Sequence, residues 1–179
     1  MTLIGPGNAD AALARLGQRW TGPAADTEVL RWPAVRSEIA VAVVGAHLSG
    51  LPLNSQLTER GARLLRSTRT APCYRLYALP GTTPPKPGLQ RVSEGGARIE
   101  LEVWALPQAE VGSFLSLIPA PLGLGSLLLE DGSAVHGFLC ESHALQGARD
   151  ITGFGGWRAY MAHLKSLTPI PASTSVWIG

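Results

Sequence analysis

The chain has 179 residues, a length typical of one domain, with 45% hydrophobic and 16% charged residues. This composition excludes a disordered chain or a coiled coil, and a net charge of +2 is too small to indicate a nucleic-acid-binding protein. No apolar run reaches the roughly 18 residues that a transmembrane helix needs. The first residues, "MTLIGPGNAD", lack the charged and apolar regions of a secretory signal, so we expect a soluble, cytoplasmic protein with no nucleic-acid or membrane partner.

Cysteines and arginines have ordinary structural interpretations in this sequence. Cys73 and Cys140 lie far apart, and the absence of a C-x-x-C pair or Cys/His cluster predicts free thiols in a reducing compartment and no zinc site. Arginines recur at every third position from Arg60 to Arg69 without interleaved aromatic residues, which favours a solvated basic stripe.

Breaks in the pattern divide the chain into three regions. Residues 1–37 are predicted to form a helix and linker preamble: "NADAALARLGQRW" has helical spacing at Ala12, Leu13, Leu16 and Trp20, and Gly and Pro interrupt the residues that follow. The compact domain is expected over residues 38–168, with residues 169–179 as a tail.

Strand patterns dominate the first half of the compact domain. "IAVAVVGA" is a continuous apolar run suited to a buried strand, and "CYRLYALP" and "ARIELEVWALP" alternate as strands do. Between them, "LTERGARLLRST" fits either a short helix or a strand with a bulge. The proline-rich "GTTPPKPGLQRV" predicts a loop.

The second half predicts a helix, a hairpin and a second helix. "QAEVGSFLSLI" has helical spacing, and "LGSLLLEDGSAVHGFLCE" places two apolar runs around an Asp-Gly turn. "GWRAYMAHLKSL" predicts a helix with Trp157, Tyr160, Met161 and Leu164 on one face. The sum predicts an α+β fold in which a small mixed β-barrel with short helices closes the sheet.

His47 is the most prominent candidate for chemistry. Phosphate-loop, dinucleotide-binding and nucleophile-elbow motifs are absent, and His136, His143 and His163 have no partner at metal-ligand spacing. His47 instead follows a buried strand between Gly45 and Gly50, where the backbone can turn sharply and present N–H groups to an anion. A core histidine bonded to a carbonyl is the alternative.

Two carboxylates also stand out, Glu102 within a strand pattern and Glu141 directly after an apolar run. Exposure to solvent is the ordinary expectation for each of them. Glu102 would face a pocket instead if its strand lined one.

Several blocks, in order, resemble the C-terminal domain of allophanate hydrolase over about residues 38–162. They are "VVGAHLSGLPLNSQLTERGARLLRSTRTAPCYRLYALPGTTPPKPGLQRV", "EVWALP", "IPAPLGLGSLLLEDG", "GFLCES" and "DITGFGGWRAY". The resemblance implies a fold like that of the gamma-glutamylcyclotransferases, with "GAHLSG" at the place of their substrate loop. The segment expected to hold the cyclotransferase acid/base glutamate, "FLSLIPAPLG", has no carboxylate.

The resemblance implies that the domain decarboxylates N-carboxyurea to urea and CO2 after an amidase has acted on allophanate. The resemblance therefore implies His47 as the catalytic proton donor, with no cofactor and no metal. The Leu48, Ser49 and Gly50 amides, with Gly45 shaping the turn, are expected to bind the substrate carboxylate. Arg69 is expected as an ionic partner of that carboxylate, and Asn54, Gln56 and Tyr74 are expected to bond the urea end of the substrate. Glu102 is the last substrate-binding candidate.

The chain carries no amidase domain, so we expect a stand-alone homologue whose small carbamate substrate comes from a separate amidase. Two other functions remain open. The domain could be a non-catalytic module that binds an amidase or forms a homodimer through Trp157, Tyr160 and Met161. It could also be a gamma-glutamylamine cyclotransferase, which would need Glu102 or Glu141 as acid/base.

Overall fold

The computed structural model describes residues 37–167, together with Leu13 and Leu16. Contacts separate the chain into two compact units, residues 1–35 and residues 36–179. In the first unit Leu13 and Leu16 are helical, while the remainder of the predicted helix, the linker to residue 36 and the tail at 169–179 lie outside the described residues. No helix within the described part is long and apolar enough to cross a membrane.

The described residues of the second unit form eight strands and three short α-helices. The strands are β1 (Glu38–Val43), β2 (Arg63–Arg69), β3 (Tyr74–Ala78), β4 (Pro87–Arg91), β5 (Glu100–Pro107), β6 (Leu122–Leu128), β7 (Ala134–Cys140) and β8 (Arg149–Asp150). The helices are α1 (Ser55–Thr58), α2 (Val111–Leu115) and α3 (Trp157–Leu167), with 3₁₀ turns at Gln108–Glu110, Ser142–Leu145 and Thr152–Phe154.

The strands pair as two sheets. The larger has the order β2-β5-β1-β7-β6, with β1 antiparallel to β5 and parallel to β7, and the smaller has the order β4-β3-β8. Because β1 lies at the centre of the larger sheet, its second half, Val41 to Val43, is buried. This placement delivers the turn after β1, with His47, to the end of the sheet next to β4.

The predicted α+β class with short helices is confirmed. The described strands form sheets of five and three strands, and their hydrogen-bonded ladder does not close into a single barrel. Gly88 in β4 lies against Cys140 in β7: an added Cβ there would be 3.0 Å from the Cys140 Sγ. A residue without a side chain therefore lets the smaller sheet approach the larger one closely.

Most of the predicted elements are present, including the hairpin of β6 and β7. At its turn Gly132 has φ of +83°, and the Ser133 N–H donates to the Asp131 carboxylate at 2.9 Å. The undecided segment "LTERGARLLRST" is divided between α1 and β2. The interpretation of "GTTPPKPGLQRV" as a loop was wrong at its end, where β4 begins at Pro87. A proline is tolerated as the first residue of a strand.

The side chains of α3 that were predicted to bind a partner pack into or against the protein core instead. Trp157 and Tyr160 are 3% and 6% exposed and belong to the core, and Met161 packs against that core. Their amphipathic spacing therefore serves the chain's own packing, so they do not form an open docking face.

Candidate active site

The turn after β1 is a tightly bonded segment over residues 44–54. The Leu48 N–H donates to the Gly45 carbonyl at 2.9 Å, and the Leu53 N–H donates to the Ala46 carbonyl at 2.9 Å. The Asn54 side-chain amide donates to the His47 carbonyl at 2.9 Å, which holds the backbone of the histidine itself. The position of His47 is thus determined by short-range bonds on both sides.

Glycines permit two specific features of this turn. An added Cβ at Gly45 would lie 2.5 Å from the Pro87 Cδ, so only glycine lets the turn touch the start of β4. Gly50 has φ of +74°, in the left-handed region that favours glycine. Gly45 and Gly50 therefore shape the turn, as the sequence predicts.

The His47 imidazole is half-buried and held by two neighbours. Its Nε2 lies 2.8 Å from the Gln56 Oε1, and the Phe114 ring meets it edge-on at 5.3 Å between centroids. A glutamine oxygen accepts, so Nε2 carries the proton and Nδ1 is the lone-pair nitrogen. Nδ1 makes no hydrogen bond with any residue from 37 to 167.

Burial is the main cause that lowers the pKa of His47 from its usual value. The hydrogen bond to Gln56 opposes this shift, and the nearby Lys86 ammonium adds to it. The imidazole of the free protein is therefore neutral at pH 7.

A pocket of about 500 Å³, including its solvent-open mouth, adjoins His47. Its described lining is apolar except for His47 and Lys86, with a wall from Leu117, Ile118, Leu122 and Phe138. The Lys86 ammonium makes no ion pair or hydrogen bond with any residue from 37 to 167. One imidazole and one unpaired cation in an apolar cleft suit a small anion that exchanges a proton.

Glu102 is buried, with 5% of its surface exposed, so the expectation of solvent exposure was wrong. Its Oε2 accepts from the Ser49 N–H (2.8 Å), the Ser49 hydroxyl (2.9 Å) and the Trp104 Nε1 (3.1 Å), and its Oε1 accepts from Arg158 (2.7 Å). Burial alone would raise the pKa of Glu102, but the hydrogen bonds from Ser49, Arg158 and Trp104 outweigh it and the pKa is lowered. Glu102 is therefore charged at neutral pH, and it holds the turn.

Some of the predicted substrate-binding residues lie beside His47, whereas others are already bonded within the protein or lie away from His47. Gly45 lines the pocket and Gln56 contacts the His47 ring, whereas Asn54 holds the His47 backbone. The Ser49 and Leu48 N–H groups, predicted to bind a substrate carboxylate, already donate to Glu102 and to the Gly45 carbonyl, respectively.

Arg69 and Tyr74 lie away from His47. Arg69 pairs with Glu100 at 3.4 Å in an exposed groove and does not line the His47 pocket. Tyr74 is fully buried, and its hydroxyl accepts from the Leu128 N–H at 2.8 Å. The structure gives neither residue access to a ligand beside His47.

Sequence reasoning missed Lys86 and two aromatic residues: Phe114, which contacts the His47 ring, and Phe138, which lines the pocket. Lys86 is carried by the proline-rich segment, which offered no signal beyond an isolated charge between two prolines. Glu141, which was also considered, is exposed and lies 3.2 Å from His143. Across the described residues, no group of three or more His, Cys, Asp or Glu side chains could hold a metal ion.

Comparisons with known proteins agree with the resemblance seen in the sequence. A family model described as the allophanate hydrolase C-terminal domain matches residues 39–162. The urea amidolyase of Lachancea kluyveri is 43% identical over 92% of this chain, which spans only 10% of that protein.

Two solved structures extend the comparison. The allophanate hydrolase of Kluyveromyces lactis is 47% identical with a TM-score of 0.69, and the match covers 72% of this chain and 22% of that one. A uropathogenic E. coli-specific protein is 38% identical with a TM-score of 0.66, covering 71% of this chain and 98% of that one. The domain thus occurs both within much longer proteins and as most of a small chain. The chain therefore belongs to the allophanate hydrolase C-terminal domain family.

Proposed function

We propose that this chain releases CO2 from a small carbamate, the N-carboxycarbamate that remains when an amidase removes ammonia from allophanate, with His47 as the proton donor. The N-carboxyurea expected from the resemblance is allophanate itself, so it cannot be the product of that deamination. The observation that carries the proposal is that His47 and Lys86 line one apolar pocket, where the His47 Nδ1 and the Lys86 ammonium have no bonding partner among residues 37–167. Lys86 takes the role of carboxylate partner that the sequence assigned to Arg69, since Arg69 is paired elsewhere.

The reaction needs one proton and no electron sink. The bond between the carboxylate carbon and nitrogen breaks, its electron pair stays on nitrogen, and CO2 leaves as a neutral molecule. A proton from the imidazolium of His47 goes to that nitrogen, which gives carbamate, and water returns a proton to the imidazole.

Substrate binding supplies the protonated histidine. The free imidazole is neutral because burial and Lys86 disfavour its charge. A carboxylate that pairs with Lys86 cancels this repulsion and attracts the imidazolium, so the pKa of His47 rises when the anion enters. Proton uptake is therefore coupled to binding.

The apolar wall of the pocket also favours loss of CO2 from the bound carboxylate. A carboxylate enclosed by Leu117, Ile118 and Phe138 loses much of its hydration, whereas the product CO2 is uncharged and apolar. The cyclotransferase alternative is not proposed, because the described lining of the pocket contains no carboxylate to act as acid/base.

The test supplies the substrate from an amidase that removes ammonia from allophanate, and it follows the rate of CO2 release. We expect the protein to accelerate CO2 release above the spontaneous rate, and His47→Ala to remove that acceleration while the circular dichroism and melting temperature remain near those of the wild type. Full acceleration in a folded His47→Ala variant would refute the role of His47. No acceleration by the wild type would refute the reaction.

An amidase is the class of enzyme that must supply this substrate. The longer relatives are a urea amidolyase and an allophanate hydrolase, of which this chain spans only a part. We propose that the amidase acts on the carbamate precursor either as a separate chain or as part of a longer one. The homodimer and the cytoplasmic location stay predictions from the sequence.

A further inference from the structure

We infer that Glu102 and Arg158 are positioning residues for His47, which they hold in place by binding the backbone N–H and carbonyl of Ser49. This inference rests on the proposed function, because it names the residues that keep its proton donor aligned. Neither side chain lines the His47 pocket. Both lie in a polar groove that Leu48 also lines.

Four short hydrogen bonds connect Ser49, Glu102 and Arg158. The Ser49 N–H donates to Glu102 at 2.8 Å, and the Ser49 carbonyl accepts from the Arg158 Nη1 at 2.7 Å. Arg158 also donates from Nη2 to Glu102 at 2.7 Å, and the Ser49 hydroxyl donates to Glu102 at 2.9 Å. Glu102 thus binds the Ser49 N–H, Arg158 binds the Ser49 carbonyl, and the two charged side chains also bind each other.

Arginine suits this arrangement better than lysine. One planar guanidinium reaches the Ser49 carbonyl and the Glu102 carboxylate at the same time, through two different nitrogens. A lysine ammonium at the same place has a different reach and cannot present this fixed fork. Trp157, which precedes Arg158 in the chain, is buried in the core at the start of α3.

The hydrogen bonds to Ser49 affect His47 through a short stretch of backbone. Ser49 is two residues from His47, and the His47 carbonyl is itself held by Asn54 at 2.9 Å. The Asn54 contact belongs to the turn, whereas the Ser49 contacts tie the turn to β5 and α3. Loss of the Ser49 contacts therefore lets the turn move relative to the pocket wall while its internal bonds survive.

The experiment compares Arg158→Met with the wild type, using CO2 release and the NMR signals of the His47 ring. A displacement of about 1 Å at a reacting group can lower a rate by roughly 100-fold, so we expect kcat to fall by roughly 10- to 100-fold. KM should change by no more than about two-fold, because Lys86 and the pocket wall are untouched. The His47 ring signals should shift, and the pH titration midpoint of the ring should move towards the usual value for histidine.

Arg66→Met is the matched control, since Arg66 forms an exposed arginine–carboxylate pair with Asp131 at 2.9 Å. It should leave kcat and the His47 signals unchanged. Arg158→Lys should give a smaller loss than Arg158→Met, and it provides the decisive comparison if the Met variant does not fold.

A folded Arg158 variant with wild-type kcat, or with lower kcat but unchanged His47 signals, would overturn the positioning role. If the wild type released no CO2, the proposed function would fail. The His47 signals would then decide the positioning role alone, so the two failures are distinguishable.

Discussion

Removal of the charge on Lys86 tests the electrostatic basis of the proposed site. In Lys86→Met the pocket keeps a side chain of similar length but loses the one cation of its described lining. Two effects follow from the geometry. The substrate carboxylate loses its ionic partner, and His47 loses the nearby charge that helps to lower its pKa.

The size of the first effect follows from the kind of bond removed. A hydrogen bond to a charged group contributes about 1.5–3 kcal/mol. Since 1.4 kcal/mol corresponds to ten-fold, kcat/KM should fall by roughly 10- to 150-fold. For the second effect we expect a direction: the pKa of the free His47 rises towards its usual value, although burial continues to lower it.

The assay combines coupled CO2 release with an NMR titration of the His47 ring in the absence of substrate. Lys86→Arg should retain part of kcat/KM because it keeps the positive charge. Lys165→Met, which removes an exposed charge from the last turn of α3, should behave as wild type. A Lys86→Met protein with kcat/KM within about two-fold of wild type and an unshifted His47 titration would refute the reasoning.

Two further predictions concern stability. Gly45→Ala places a Cβ 2.5 Å from the Pro87 Cδ, so we expect the free energy of unfolding, measured with urea, to fall by about 1–3 kcal/mol. Gly112→Ala is the control: its Cβ would meet nothing within 4 Å, so it should show no such steric loss. The pKa of His47 is lower in the folded chain than its ordinary 6.5, so its contribution to stability is complete above pH 6.5 and is lost as the pH falls through the folded value. His47→Gln should therefore flatten the pH dependence of the unfolding free energy below pH 6.5; an unchanged slope would contradict the lowered pKa.

Local sequence determined the elements that depend on short-range patterns. The apolar run of β1, the alternation of β3 and β5 and the Asp-Gly turn between β6 and β7 each identify an element within a few residues. Part of the turn at His47 is of the same kind, because the positive φ of Gly50 is local and Asn54 bonds a carbonyl within the same turn. These features could be predicted because their causes lie next to them in the chain.

Alternation alone did not show which side of a strand meets a ligand. Tyr74 follows the strand pattern, but its ring fills the core, and its hydroxyl caps a backbone N–H of β6. Glu102 occupies a position that the pattern assigns to solvent or a pocket, yet β5 is buried along most of its length because β1 and β2 flank it. Burial of these side chains depends on the neighbouring strands and helices.

The sequence by itself therefore determined the fold class, most of the strands and His47 as the candidate residue. Only the tertiary structure decided what surrounds His47. Lys86 reaches the pocket because β4 packs against the turn at Gly45, and Arg158 reaches Glu102 because α3 packs its buried face near β5. Such contacts join residues far apart in the chain, so no local pattern of apolar and polar residues records them.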